Sequence, residues 1–120
     1  MYRCVEPNDW LPYLRRMVEA SEKSQEHVRG VPEVEFVAGE VVYDAALMQL
    51  VVIAEAASRV PPAVRDELGA VPWSDIRAVR NRIAHNYEGL DEESIWHTVT
   101  VKVPQLIEVL RGVLLEHGEA

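Results

Sequence analysis

The stretch AALMQLVVIAEAA, residues 45–57, decides how this chain folds. Its apolar residues are nearly continuous, whereas a helix at a protein surface carries an apolar stripe along one side only. The pattern therefore predicts a helix that is buried on more than one side, running from about Val37 or Glu40 to Val60. Gln49 and Glu55 interrupt the run, and it is shorter than the roughly 20 residues needed to cross a bilayer. We expect it to be the central helix of a bundle.

The residues before and after this run predict two further elements. Apolar residues follow helical spacing over residues 9–29, and Gly30 ends that helix because glycine suits the residue just past a helix. Residues 60–73 contain three prolines and a glycine, a composition typical of a connector. One short helical turn is expected inside it, at residues 63–68.

The carboxyl-terminal half predicts two more long helices. One runs from Ser74, its expected amino-terminal cap, to about Asn86. The other follows Asp91 as its cap and extends to the end of the chain. Pro104 lies inside the last helix, and we expect it to loosen the turn around Thr100, whose carbonyl group it displaces.

No segment alternates like a strand, so the fold class predicted is all-α: an up-and-down bundle of four long helices with one short connecting helix. We expect a single domain over residues 1–120, because a chain of this length closes one hydrophobic core. Residues 1–10 have no apolar stretch after their arginine, which argues against a secretory signal and favours a cytoplasmic protein without a membrane span. Cys4 is the only cysteine, so an intrachain disulfide and a cysteine-based zinc site are excluded.

Charge is distributed unevenly along the chain. The formal net charge of −8 argues against a general nucleic-acid binder, because such proteins cluster cations toward the phosphates. Residues 73–88 are the exception, since they hold three arginines against two acidic residues. Any contact with an anionic substrate is therefore expected to centre on that segment.

Within residues 73–88, the stretch RNRIAHNY (residues 80–87) contains several side chains that can act on a phosphodiester. An imidazole has an ordinary pKa of about 6.5 and can therefore transfer a proton near neutral pH. A guanidinium binds phosphate oxygens in bidentate fashion. Arg80 and His85 are five residues apart, about 140° around a helix, so they meet less readily in one helix than across a turn or a partner chain. The other interpretation of His85 is an ordinary residue near a helix end, where the helix dipole favours positive charge.

Glu55, in the central run, lies four residues before Arg59. We interpret the two as an ion pair on the surface of one helix, worth a few tenths of a kcal/mol. The alternative is that Glu55 contacts residues 80–87 instead.

The order arginine, four residues, histidine, one residue, tyrosine is filled by Arg80, His85 and Tyr87, with Asn81 directly after the arginine. This pattern resembles the motif of the HEPN ribonucleases, and more narrowly that of the HepT-like toxins. Three other segments also resemble parts of this family: IAEAASRV (residues 53–60), VPWSDIRAVRN (residues 71–81) and SIWHTVTVKVPQL (residues 94–106). Two departures, Ala54 where the family often has glycine and Val79 where it often has methionine, concern packing.

The resemblance implies a metal-independent endoribonuclease that needs no cofactor, acting on RNA as a homodimer whose two motifs face each other. His85 would be the general acid or base, Arg80 would stabilise the transition state, and Asn81 and Tyr87 would position the substrate. It further implies a toxin of a two-gene toxin–antitoxin system, silenced when a minimal nucleotidyltransferase antitoxin adenylylates Tyr87. The alternative is a catalytically inactive HEPN helical module that only binds a nucleotidyltransferase partner.

Overall fold

The structure, a computed structural model, describes residues 9–38 and 41–119. Its regular elements are all helical: α1 Leu11–Val28, α2 Glu33–Val37, α3 Val41–Ser58, α4 Pro62–Glu67, α5 Trp73–His85, a 3₁₀ turn Tyr87–Gly89, α6 Glu92–His97, a π-helical turn Thr98–Lys102, and α7 Val103–Glu116. The last three follow one another without a break and form one long helix over residues 92–116. The predicted all-α bundle is confirmed, with α1, α3, α5 and this last helix as its four long members and α4 as the short connection.

Two helix starts show where the sequence signals were right and wrong. Asp91 caps α6 as predicted, since its carboxylate accepts a hydrogen bond from the Glu93 N–H at 3.1 Å. Ser74 does not cap α5, because the helix already begins at Trp73 and Pro72 occupies the cap position without a side-chain bond. Proline suits that position, since it has no N–H to leave unpaired.

Helix α2 was not predicted, because five residues are too few to display a helical period. It buries Phe36 completely, against the rings of Tyr43 and Trp96 at centroid distances of 5.3 and 5.0 Å. Cys4 and the possible helix start at Glu40 lie outside the described residues.

Helix α3 is the central helix. It packs on α1 and α5, and α1 packs in turn on α7. By length and composition alone α3 could cross a membrane. Its buried side chains, however, cover roughly half of its circumference and face neighbouring helices, among them α1 and α5, as in the core helix of a bundle; they are Tyr43, Ala46, Leu47, Leu50, Ile53, Ala54, Ala56 and Ala57.

Pro104 loosens the last helix as predicted and changes its hydrogen-bond register. The Val103 N–H reaches back five residues to the Thr98 carbonyl, which is π-helical geometry. In this register the next carbonyl, that of Val99, faces Pro104, which has no N–H to offer. Val99 is fully buried, and Gln25 of α1 supplies the missing donor through its Nε2 at 2.8 Å. The carbonyl without a helical partner is therefore that of Val99 instead of the expected Thr100.

We expect Gln25→Ala to lower the free energy of unfolding by about 1–3 kcal/mol, because it leaves the buried Val99 carbonyl unpaired. Urea unfolding measures this change. Adding Pro104→Ala restores a backbone N–H, so Gln25→Ala should cost less in that background. Gln105→Ala, an exposed glutamine on α7, is the control and should change stability by less than about 0.5 kcal/mol. An equal cost of Gln25→Ala in both backgrounds would contradict this account of the π turn.

Candidate active site

Helix α5 presents the motif to solvent because only two of its residues are buried. Ile76 and Ile83 lie seven positions apart, so they form one apolar edge that packs toward α3. The connector fixes where α5 begins, since the Trp73 indole N–H donates to the Leu68 carbonyl at 3.0 Å. As a result, Asn81 and His85 are exposed and Arg80 is half-buried.

Arg80 is held by the central helix. Its Nε donates to Glu55 Oε2 at 3.1 Å. The expectation that Glu55 pairs with Arg59 is therefore wrong, because α5 packs beside α3 and brings a guanidinium to the same carboxylate. The two side chains are 42% and 52% exposed, so the pair adds at most about 1 kcal/mol to stability. Its main effect is to orient the guanidinium, whose two terminal nitrogens remain available to an anion.

His85 is the last residue of α5 and is exposed. Within residues 9–38 and 41–119 its imidazole makes no hydrogen bond or ion pair. Because α5 remains helical through His85, this side chain points about 140° away from Arg80. One chain therefore does not bring Arg80 and His85 together.

Tyr87 lies beyond the end of α5, in the 3₁₀ turn. It does not continue the Arg80 side of the helix, as an ideal helix would require, because Asn86 leaves helical geometry with φ −150°. Instead the Tyr87 hydroxyl donates to Asp44 Oδ1 of α3 at 2.8 Å, while its side chain stays 52% exposed. Arg80 and Tyr87 thus each contact a carboxylate of the same helix.

The Asp44 contact has an electrostatic consequence. The hydrogen bond to Asp44 raises the pKa of the Tyr87 phenol above its ordinary value, and slight burial and the negative charge of Asp44 act in the same direction. Burial raises the pKa of the neighbouring Tyr43, with a further contribution from the negative charge of Glu92. Both phenols are therefore protonated at neutral pH, and the Tyr87 oxygen carries a proton directed at Asp44.

A cleft of about 250 Å³ opens between α3, α4 and the first turns of α5. Its charged and polar lining consists of Glu55, Arg65, Arg77, Arg80, Asn81 and Ser58. We call it the arginine cleft. Arg65 comes from α4. Sequence reasoning missed it because no spacing in the chain relates residue 65 to the motif, and only the fold brings it to the same cleft as α5.

A larger groove of about 430 Å³ lies between α3, α5 and α7. It is lined mainly by apolar side chains, with Arg82, Lys102 and Asp75 at its charged positions. His85, Arg80 and Tyr87 do not line it. In the part of the chain that the structure describes, no three His, Cys, Asp or Glu side chains form a group that could hold a metal ion.

Comparison with known proteins connects this geometry to a family. Residues 17–113 match the family described as "Ribonuclease HepT-like". The protein named "Putative RNase TTE0752" of Caldanaerobacter subterraneus subsp. tengcongensis is 30% identical over 103 residues, which span 86% of this chain and 92% of that protein. "Probable ribonuclease HepT" of Thermococcus cleftensis is 28% identical over 94 residues, 78% of this chain and 86% of its own. No solved structure matches this chain significantly.

We expect Asp44→Asn to lower the pKa of Tyr87 toward its ordinary value. The reason is that the amide carries no negative charge to oppose the phenolate, whereas the carboxylate stabilises the protonated phenol. A pH titration of the tyrosine ring carbons by NMR, with Tyr87 assigned through Tyr87→Phe, measures the shift. Asp66→Asn, an exposed aspartate of α4, is the matched control and should leave Tyr87 unchanged. If Asp44→Asn also leaves it unchanged, Tyr87 does not bond Asp44 in solution.

Proposed function

Because this chain belongs to the HepT-like ribonuclease family, we propose that it is a metal-independent endoribonuclease in which Arg80 and His85 perform the chemistry. The observation that carries the proposal is the placement of the motif. Arg80, Asn81 and His85 all lie on α5 outside its buried edge, where a polynucleotide can reach them. They also occupy the most cationic segment of a chain whose formal net charge is −8.

The proposed reaction uses the ribose of the RNA as its own nucleophile. The 2′-hydroxyl attacks the adjacent phosphorus, the bond to the 5′-oxygen of the next nucleotide breaks, and a cyclic phosphate and a 5′-hydroxyl result. His85 takes the proton from the 2′-hydroxyl or delivers one to the leaving oxygen, a role that side chains of suitable pKa perform with about 10²- to 10⁴-fold effect. Arg80 stabilises the extra negative charge on the phosphorus oxygens, and Asn81 and Tyr87 position the strand.

A homodimer would complete the site, since Arg80 and His85 point apart within one chain. Two exposed apolar side chains of α3, Val41 (81% exposed) and Met48 (58% exposed), support this arrangement. They lie seven residues apart, on the side of α3 that also carries Asp44 and Glu55. Exposed apolar groups next to a polar site favour a protein interface. In the dimer, His85 of one protomer works with Arg80 of its partner.

We assign the regulatory role to Tyr87, in a two-gene toxin–antitoxin system of the cytoplasm. A minimal nucleotidyltransferase antitoxin would direct the Tyr87 oxygen to the α-phosphorus of ATP, so that an oxygen–phosphorus bond forms and pyrophosphate leaves. Asp44 is placed to accept the phenolic proton, because it already accepts the hydrogen bond at 2.8 Å. Once adenylylated, the Tyr87 oxygen has no proton to donate to Asp44. The attached phosphate is repelled by the Asp44 carboxylate and attracted to Arg80 and the neighbouring arginines. There it prevents these arginines from binding RNA.

The alternative function, an inactive helical module that only binds a nucleotidyltransferase, shares the fold and the packing. It differs in one respect: a module that only binds its partner could lose Arg80 and His85 without losing its function. Their removal therefore separates the two functions.

We expect the purified protein to cleave structured RNA in the presence of a metal chelator, because imidazole and guanidinium chemistry needs no metal ion. His85→Ala should reduce the rate by about 10²-fold or more while the circular dichroism spectrum stays that of the parent. His97→Ala is the matched control, since His97 is also an exposed histidine on a helix. Equal cleavage by His85→Ala and the parent would exclude His85 as the catalytic residue and favour the inactive module.

The composite site predicts rescue between two inactive variants. When Arg80→Ala and His85→Ala chains are mixed, half of the dimers are mixed and each has one complete cleft of two, so about a quarter of the parent activity should return. Adding Met48→Asp to both variants should prevent rescue and give monomers in sedimentation at micromolar concentration. Leu115→Asp, at another exposed apolar position on α7, should permit it. No rescue in the mixture of dimeric variants would mean that each site uses one chain only.

Tyr87→Phe should keep the fold and much of the cleavage activity but escape the antitoxin. Intact-mass analysis after incubation with ATP and the nucleotidyltransferase encoded beside this chain should show added adenylyl groups on the parent and none on the variant. The reason is that phenylalanine has no oxygen to attack phosphorus. Modification of Tyr87→Phe to the extent of the parent would place the acceptor at another residue.

A further inference from the structure

The arginine cleft carries a net positive charge, to which Arg80 is only one contributor. Arg65, Arg77 and Arg80 line it, and Glu55 is the one carboxylate among its lining residues. We infer that the cleft is a subsite for a backbone phosphate of the RNA strand next to the bond that is cleaved. This inference deepens the proposed function and rests on it for the identity of the polymer.

Arg65 is the residue that distinguishes a built anion site from a chance cluster on one helix. It comes from α4, whereas Arg77 and Arg80 come from α5, so the fold brings cations from two elements to one cavity. Its Nε is buried and has no hydrogen-bond partner among the residues that the structure describes. A buried donor on a charged group without an acceptor is unfavourable. A phosphate in the cleft would neutralise the charge of this guanidinium and bind its terminal nitrogens, while the Nε itself stays buried.

The other two arginines are compatible with the same ligand. Glu55 takes only the Nε of Arg80, so the terminal nitrogens of this guanidinium are left for a phosphate. Arg77 is exposed and lies one turn before Arg80 on α5. In the proposed dimer Arg80 works with the partner's His85 at the bond that is cleaved, and Arg77 lies three residues, about 4.5 Å, before Arg80 along α5. The phosphate held by Arg65 and Arg77 is thus a neighbour of the phosphate at which Arg80 and the partner's His85 act.

The size and the lining of the cleft limit what it binds. Its volume of about 250 Å³ is below the roughly 300–1,000 Å³ of pockets that enclose a drug-sized ligand. Trp73 also lines it, but its indole N–H is already bonded to the Leu68 carbonyl and cannot read a base edge. Such a cavity suits a phosphate with part of its ribose. It positions the strand without selecting its sequence.

Binding of an RNA that cannot be cleaved tests the subsite apart from catalysis. The probe is a short single-stranded oligoribonucleotide with every 2′-hydroxyl methylated, and fluorescence anisotropy gives its affinity at several salt concentrations. Arg65→Gln should weaken binding severalfold and reduce the slope of log K against log salt by about 0.7, the value of one phosphate contact on a single strand. Arg77→Gln, at an exposed position, should act in the same way and covers the case in which Arg65→Gln does not fold. Arg16→Gln, on the exposed side of α1, is the matched control.

The outcomes separate this inference from the proposed function. If Arg65→Gln and Arg77→Gln both bind the probe with the affinity and salt slope of Arg16→Gln, the subsite is wrong, even where the parent cleaves RNA. A parent that binds the probe through Arg65 but cleaves no RNA supports the subsite and overturns the nuclease. ATP binding that depends on Arg65, with RNA binding unaffected, would assign the cleft to a free nucleotide and overturn the RNA subsite.

Discussion

Burial of α3 is the constraint on which the rest of the structure depends. Leu50 and Ile53 are 5% and 2% exposed, and three buried alanines near the end of the helix let its neighbours approach closely. Removing apolar surface from water contributes about 25 cal/mol per Å², so the neighbouring helices are stabilised mainly by covering this one. Helix α5 reaches its place by the same means, since Ile76 and Ile83 are its only buried residues. Every candidate catalytic side chain is carried by a helix that packs along one side of α3.

The side of α3 left exposed next to α5 organises the candidate site. Asp44 and Glu55 are eleven residues apart, close to three full turns, so they share one side about 16 Å apart. Asp44 accepts a hydrogen bond from Tyr87, and Glu55 accepts one from Arg80. An acidic chain therefore uses two of its carboxylates to hold both ends of the motif, residues 80–87. Each bond is weak because it is exposed to water, so an anionic ligand can displace it.

Much of the fold was predictable because its signals are local. The caps, the proline-rich connector and the continuous apolar run each depend on a few neighbouring residues, and Asp91, Pro104 and residues 45–57 all acted as their chemistry suggests. The errors had two sources, a competing local signal in one case and a contact with a distant residue in the other. Ser74 resembles a cap, yet Pro72 already occupies that position. Glu55 resembles half of an intrahelical pair until α5 brings Arg80 beside it.

The sequence by itself determined the fold class, the central helix and the resemblance of the motif, because helical periodicity and residue order are properties of the chain alone. Only the tertiary structure decided which partners these residues have. It placed Arg65 in the cleft with Arg77 and Arg80, paired Tyr87 with Asp44, and gave Val99 a donor from Gln25. The physical reason is that each of these contacts joins residues 12 to 74 positions apart in sequence. Such contacts exist only after burial of α3 has fixed the helices side by side.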